Sequence, residues 1–287
     1  MSEASPALNN PDEPVPVVLL PEPQDPVIHA VSQNYTDEQL GVTTRFEEMS
    51  LEQAAQELED GRADIVLAGI AHDTPSVLSV ILKHFRQPDT LVSSYFTMEK
   101  EGEETMFYAD CAVVPNPNPS QMVKIAEHTS ESAMHLGYEP VVAFLSLETF
   151  ESDHATSEKI PGVVQVREAA RRFKEEHPEI ISYGPIQYDA ATDRRIFEKK
   201  AKSKGIELVD GKMPNILIFP DGMSGNITYK AKQDTHLATG PMITGTSRPF
   251  HDMSRGATEQ AVVRGIELAR AEFISRRHAD SLHDRPL

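Results

Sequence analysis

The chain has 287 residues, 45 of them acidic and 27 basic, for a net charge of -18; that length holds one large or two modest domains, and the negative field argues against nucleic acid or an anionic membrane as partner. Its single cysteine, Cys111, excludes an internal disulfide and fits a reducing compartment. No run approaches the ~18 apolar residues of a membrane span, and the acidic, Pro-rich start lacks the basic and apolar regions of a secretory signal, so a cytoplasmic protein is expected.

Residues 1–14 have little to bury and are expected to be disordered. PVPVVLLPEP then gives a first short strand, ended by Pro21 and Pro23. Ser50 is a plausible N-cap for a helix carrying Leu51, Ala54, Ala55 and Leu58 on one stripe and stopping at Gly61. ADIVLAGI, from Ala63, is a continuous apolar run, the mark of a parallel strand covered on both faces. SVLSVILKHF reads as helix; TLVSSYFTME and ETMFYADCAVV read as an antiparallel pair joined by the polar turn KEGE. SQMVKIAEHTSESAMHLG is a helix with Gly137 as its stop, VVAFLSL a buried strand, and VVQVREAARRFKEEH a helix. ISYGPIQYDAA and NILIF read as strands with RRIFEKKAKSKG between them, and PDGMSGN reads as a turn cluster. ATGPMITGTSRPFHDMSRG offers a short strand, a Gly-rich bend and a Ser-Arg-Gly corner, before the helical pattern TEQAVVRGIELARAEFI. Such alternation argues for helices flanking a mostly parallel sheet, and no internal repeat is present.

Strand, tight polar corner and helix is a common way to present an anion to backbone N–H groups and a helix N-terminus. Arg255 would add a fixed bidentate fork at that corner. The corner and its surroundings resemble the signature of the phosphate acetyl/butyryl transferases (phosphotransacetylases). The matching residues are Ile218-Phe219-Pro220-Asp221, Gly225-Asn226 with Tyr229-Lys230, Gly240-Pro241 with Gly245, and Pro249 with Asp252-Met253-Ser254-Arg255-Gly256. Blocks beginning at Ala63, Ser93, Val141 and Ile186 resemble further parts of the family, so the likeness spans roughly residues 45–273.

The resemblance implies an α/β fold of two α/β/α domains with mostly parallel sheets and an interdomain cleft, like that of isocitrate and isopropylmalate dehydrogenases. Residues 15–86 with 236–287 would form the first domain and 87–235 the second. Family members carry one or two further βα units of roughly 30 residues before the position of Arg45. The first sheet is therefore expected to be trimmed, with an edge that a homodimer partner could cover. The family reaction moves an acyl group between the sulfur of coenzyme A and inorganic phosphate, with coenzyme A as a substrate and no cofactor.

That chemistry needs cationic donors for phosphate, an acceptor for the thiol proton and donors for the developing oxyanion. By resemblance, Arg255 binds phosphate or acyl phosphate and Ser254 donates near the reacting carbonyl; Asn226, Tyr229 and Lys230 line the substrate side. The bland alternative is a capped turn with a snorkelling side chain at its edge. Arg45 is a candidate for a further family arginine. The family's proton-accepting aspartate falls on Ala261, and Glu259 lies about 200° round a helix from it. Two cleft arginines fall on Ser79 and Asp234. The loop after VVAFLS carries Glu148, Glu151 and Asp153 where the family is neutral or basic, so it either disfavours a bound dianion or projects into solvent. Gln187 and Asp189 match a block at the cleft floor, or cap a strand end. The eleven histidines show no metal-ligand spacing, and no metal is expected. His72 sits at a strand end where it could touch ligand, or serve, as a lone histidine there more often does, as a hydrogen-bonded structural group. His251 is the titratable group near neutrality beside Ser254 and Arg255, and so a candidate replacement base. Two readings follow: a phosphate acyltransferase weakened by lost site residues, or an inactive homologue that binds an acyl-CoA or phosphate ligand in a regulatory or scaffold role.

Overall fold

The computed structural model describes residues 15–150, 159–202 and 204–283. The segment expected to be disordered and the loop positions Glu151 and Asp153 lie outside that set. The first half runs β1 (Val17–Leu20), α1 (Pro26–Asn34), α2 (Asp37–Leu40), β2 (Thr43–Phe46), α3 (Leu51–Glu59), β3 (Ile65–Ala68) and α4 (Thr74–Phe85). Local chemistry sets these boundaries. Ser50 caps α3 through a reciprocal capping box with Gln53. Asp73 caps α4, accepting from Ser76 N at 2.8 Å.

The middle of the chain runs β4 (Ser93–Glu99), β5 (Met106–Ala109), α5 (Pro119–His135), β6 (Val141–Leu145), α6 (Pro161–Glu176), β7 (Ile181–Ile186), α7 (Tyr188–Thr192), α8 (Arg194–Lys202), β8 (Ile216–Ile218) and α9 (Gly222–Lys232). It closes with β9 (Leu237–Thr244), β10 (Phe250–Asp252) and α10 (Glu259–His283). Two expectations give way here. PDGMSGN is the start of a helix, not a turn cluster: Asp221 accepts from Ser224 N at 2.7 Å and opens α9. Its glycines serve close packing, since a Cβ on Gly225 would lie 2.7 Å from Asp110 O. The strand expected over ISYGPIQYDAA stops at Ile186, and the rest turns into α7.

Two sheets result. The smaller has the order β10-β3-β1-β2, all parallel; the larger has β7-β6-β8-β5-β4-β9, with β4 antiparallel to both neighbours. β9 pairs with β4 in the larger sheet, although the sequence grouping placed residues 236–287 with the smaller one. Within the smaller sheet, the apolar runs of β1 and β3 are covered on both faces, while the edge strand β2 stays partly exposed. Val18, Leu20, Ile65 and Leu67 face α1 and α10, whereas Leu19, Val66 and Ala68 face α3 and α4. α10 spans both sheets: Val262 and Ile266 pack on the shared core, while Arg264 reaches Glu99 of β4 at 2.8 Å. β9 and β10 are joined by a bond from Ile243 N to His251 Nδ1 at 3.0 Å, so the segment after β10 leaves from the junction of the sheets.

Candidate active site

β1, β3 and β10 run parallel, and their carboxyl ends meet. Beyond them lie Glu22, the stretch Gly69 to Asp73, and Met253 to Gly256. Open α/β sheets bind ligands at this edge. Met253 N donates to Ala68 O at 2.6 Å and Ser254 N to Gly240 O at 3.1 Å, which pins the corner between β3 and β9. Ala257 N donates to Ser254 O and Gly256 N to Ser254 Oγ, closing the turn. Ser254 is half-buried and Arg255 exposed. Among the described residues the Arg255 guanidinium makes no hydrogen bond or ion pair, although Asp73 and Asp252 both feel its charge.

Beneath the corner lie two buried acids that sequence reasoning did not single out. Glu22 accepts from Gly69 N at 3.1 Å and Ile70 N at 3.0 Å, and bonds His72 Nδ1. Asp252 is 1% exposed, and neither carboxyl oxygen makes a hydrogen bond of ordinary geometry, the Thr74 hydroxyl being its neighbouring donor. Burial pushes its carboxyl up to about 7; the neighbouring Glu22 adds to the shift, while the Thr74 hydroxyl and Arg255 oppose it. Gly69 is obligatory here, with φ +105° and Asp252 Oδ1 only 2.0 Å from where a Cβ would stand. The available signals were slight: a Glu directly after a buried strand, and an Asp directly before the corner.

His251 does not play the part expected of it. Its Nδ1 is occupied by Ile243 N, its Nε2 is buried without a partner, and burial lowers it to about 3, with Arg276 acting in the same direction. It is neutral at physiological pH and ties the sheets together. Asp252 is the neighbouring group that titrates near neutrality.

The remaining sequence candidates scatter. Asn226 lies on α9 and donates to Cys111 O at 3.2 Å. Tyr229 is buried and stacked on Phe96 at 4.0 Å; Lys230 is exposed, its ammonium 5.4 Å from the Tyr229 ring centroid. Arg45 is held by Glu47 at 2.7 Å, Glu57 at 2.9 Å and Arg62 O at 3.0 Å, so its donors are engaged by α3 and the loops beside β2. Ala261 is buried in α10, and Glu259 turns to Asn34 at 2.8 Å. Ser79 and Asp234 are exposed. Glu148 is not aimed at solvent or at a ligand: it is buried and gripped by two nitrogens of Arg167. Gln187 and Asp189 both hold the Lys200 ammonium, at 2.9 and 2.6 Å. Among the described residues, Glu127, Glu176 and His177 approach one another closely enough to hold a metal, but Lys124 and Arg172 already pair with the two carboxylates.

A family model described as phosphate acetyl/butaryl transferase matches residues 17–269. Phosphate acetyltransferases of Salmonella typhimurium and Escherichia coli are each 36% identical over 215 residues, covering 74% of this chain and 29% of theirs. That of Nitrosomonas europaea is 34% identical over 224 residues, covering 77% and 31%. The chain thus spans under a third of the length of these curated relatives. A phosphotransacetylase structure from Streptococcus pyogenes superposes with a TM-score of 0.72 at 23% identity, covering 91% of this chain and 94% of that one. A branched-chain phosphotransacylase from Enterococcus faecalis gives 0.71 at 21%, covering 90% and 99%. At those identities the superpositions speak for the fold.

Proposed function

We propose, from the premise that this chain belongs to the phosphate acetyl/butaryl transferase family, that it moves an acyl group between coenzyme A and inorganic phosphate. The match over residues 17–269 carries the membership, and its curated relatives are phosphate acetyltransferases, which makes acetyl-CoA and acetyl phosphate the substrates to try first. One observation carries the activity: the unpaired, exposed Arg255 guanidinium beside the Ser254 turn, at the carboxyl edge of a parallel sheet. A phosphate dianion there would find a bidentate cation and the positive end of α10. Ser254 Oγ would donate to the developing oxyanion.

Turnover is proposed to be slow. Ala261 offers a methyl where the resembling proteins carry their proton acceptor, and neither Ser79 nor Asp234 supplies a cation. One lost general base costs about 10²–10⁴ in rate and one lost charge contact about 10²–10³, and such losses are not additive. The same observation supports a second reading, a homologue that binds acyl-CoA or phosphate without turnover, in a regulatory or scaffold role. A homodimer in the cytoplasm completes the proposal.

Thiol consumption with acetyl phosphate and coenzyme A separates the two. A measurable rate well below the ~10 s⁻¹ typical of enzymes supports the acyltransferase. Ligand-induced stabilisation without any rate supports the binding protein, and a rate of hundreds per second contradicts the weakening.

A further inference from the structure

His72 has one ring nitrogen anchored and the other open. Its Nδ1 is anchored on the buried Glu22, whose carboxylate is itself fixed by the N–H groups of Gly69 and Ile70. Its Nε2 carries no hydrogen bond among the described residues, and the side chain is 36% exposed. A buried carboxylate on one ring nitrogen and an open second nitrogen is the arrangement that orients an imidazole to take a proton and stabilises the cation formed.

The location fits the reaction. His72 follows β3 at the sheet's carboxyl edge, and Asp73, the next residue, feels the charge of Arg255. His72 lines a surface groove of about 570 Å³ together with Ser50, Glu52, Asp73, Ser76 and Ser79. The charged groups that face it or lie next to that face are Glu22 after β1, Asp73 at the α4 cap, Glu52 on α3, and Asp252 with Arg255 at the corner.

We propose that His72 is the proton acceptor of this chain's acyl transfer, with Glu22 as its positioning residue, so that the reaction does not require a carboxylate at Ala261. The assignment rests on the acyl-transfer reading above. In the thiol-acylating direction, His72 Nε2 takes the S–H proton of coenzyme A as the sulfur forms the new C–S bond. The C–O bond to phosphate breaks with its electron pair, and the imidazolium returns the proton to the departing phosphate oxygen. Atoms and charge balance without a further reactant.

His72→Asn keeps a donor toward Glu22 and deletes Nε2. Thiol consumption with acetyl phosphate and coenzyme A should fall about 10²–10⁴-fold, while stabilisation by coenzyme A and inorganic phosphate in a melting assay should persist. Exogenous imidazole should restore part of the rate to His72→Ala. Glu22→Gln should lower kcat with KM nearly unchanged, and Glu22→Asp should recover some of the loss. If the native chain is active and His72→Asn stays within about twofold of it, the dyad is refuted and the acyl-transfer reading stands. Loss without imidazole rescue, or with loss of ligand stabilisation, makes His72 structural and also refutes the proposal. A native chain that consumes no thiol refutes both.

Discussion

The carboxyl ends of the two sheets treat charge in opposite ways. In the larger sheet, the charged groups after β6 and β7 are engaged, Glu148 with Arg167 and Asp189 with Lys200, and Gln187 joins Lys200 and Thr149 Oγ1, although the Ser146 hydroxyl is buried without a partner. In the smaller sheet, the described residues at the same edge leave Arg255 without a counter-ion, the Asp252 carboxyl without a hydrogen bond of ordinary geometry and His72 Nε2 open. Satisfied groups stabilise a fold and have little left to offer a ligand; buried groups left unsatisfied cost stability and mark sites. The contrast supports the proposal that the chemistry lies on the smaller sheet, although the larger one carries more of the chain.

The contrast can be broken in order of expected effect. Arg167→Ala removes the guanidinium that grips the buried Glu148, which should cost up to about 3–5 kcal/mol of stability in denaturant melts. Its phosphate-induced stabilisation should be unchanged; a lost response would move the ligand to the larger sheet. Asp252→Asn tests the other side through pH. Because the folded-state value is raised from 3.8 to about 7, native protein holds a proton that unfolded chain has released across that window. Stability from this group is therefore full below about 4 and declines as pH rises to about 7. The asparagine variant lacks that decline, and its advantage over the native chain should grow across the window toward an upper limit of about 4 kcal/mol. Melting at pH 5 and pH 8 checks it. A constant difference would mean that Asp252 finds a partner in solution.

Much of this was legible in the sequence where short-range chemistry decides. The runs around Val18, Val66 and Leu217 are buried strands because every residue in them is apolar, and Ser50 and Gly137 bound helices by their own geometry. The Ser254-Arg255-Gly256 corner was legible as a motif. Composition misled at Gly222 to Asn226, where glycines that suggest a turn serve instead to bring a helix against Asp110 and Cys111. The protonation logic was not legible. His251 and Asp252 are adjacent, yet burial sends one down and the other up, because desolvation disfavours whichever form is charged. Glu22 and His72 are separated by fifty residues and meet only because β1 and β3 are neighbours in the sheet.

The account depends most on Arg255 as the anion contact, and melting the native chain and Arg255→Ala across a series of inorganic phosphate concentrations tests it most directly. Without ligand the two should melt alike, within about 0.5 kcal/mol, because the side chain is exposed and has no partner to lose. With phosphate the native chain should rise in melting temperature and the variant should stay flat. An equal rise in both would contradict the account.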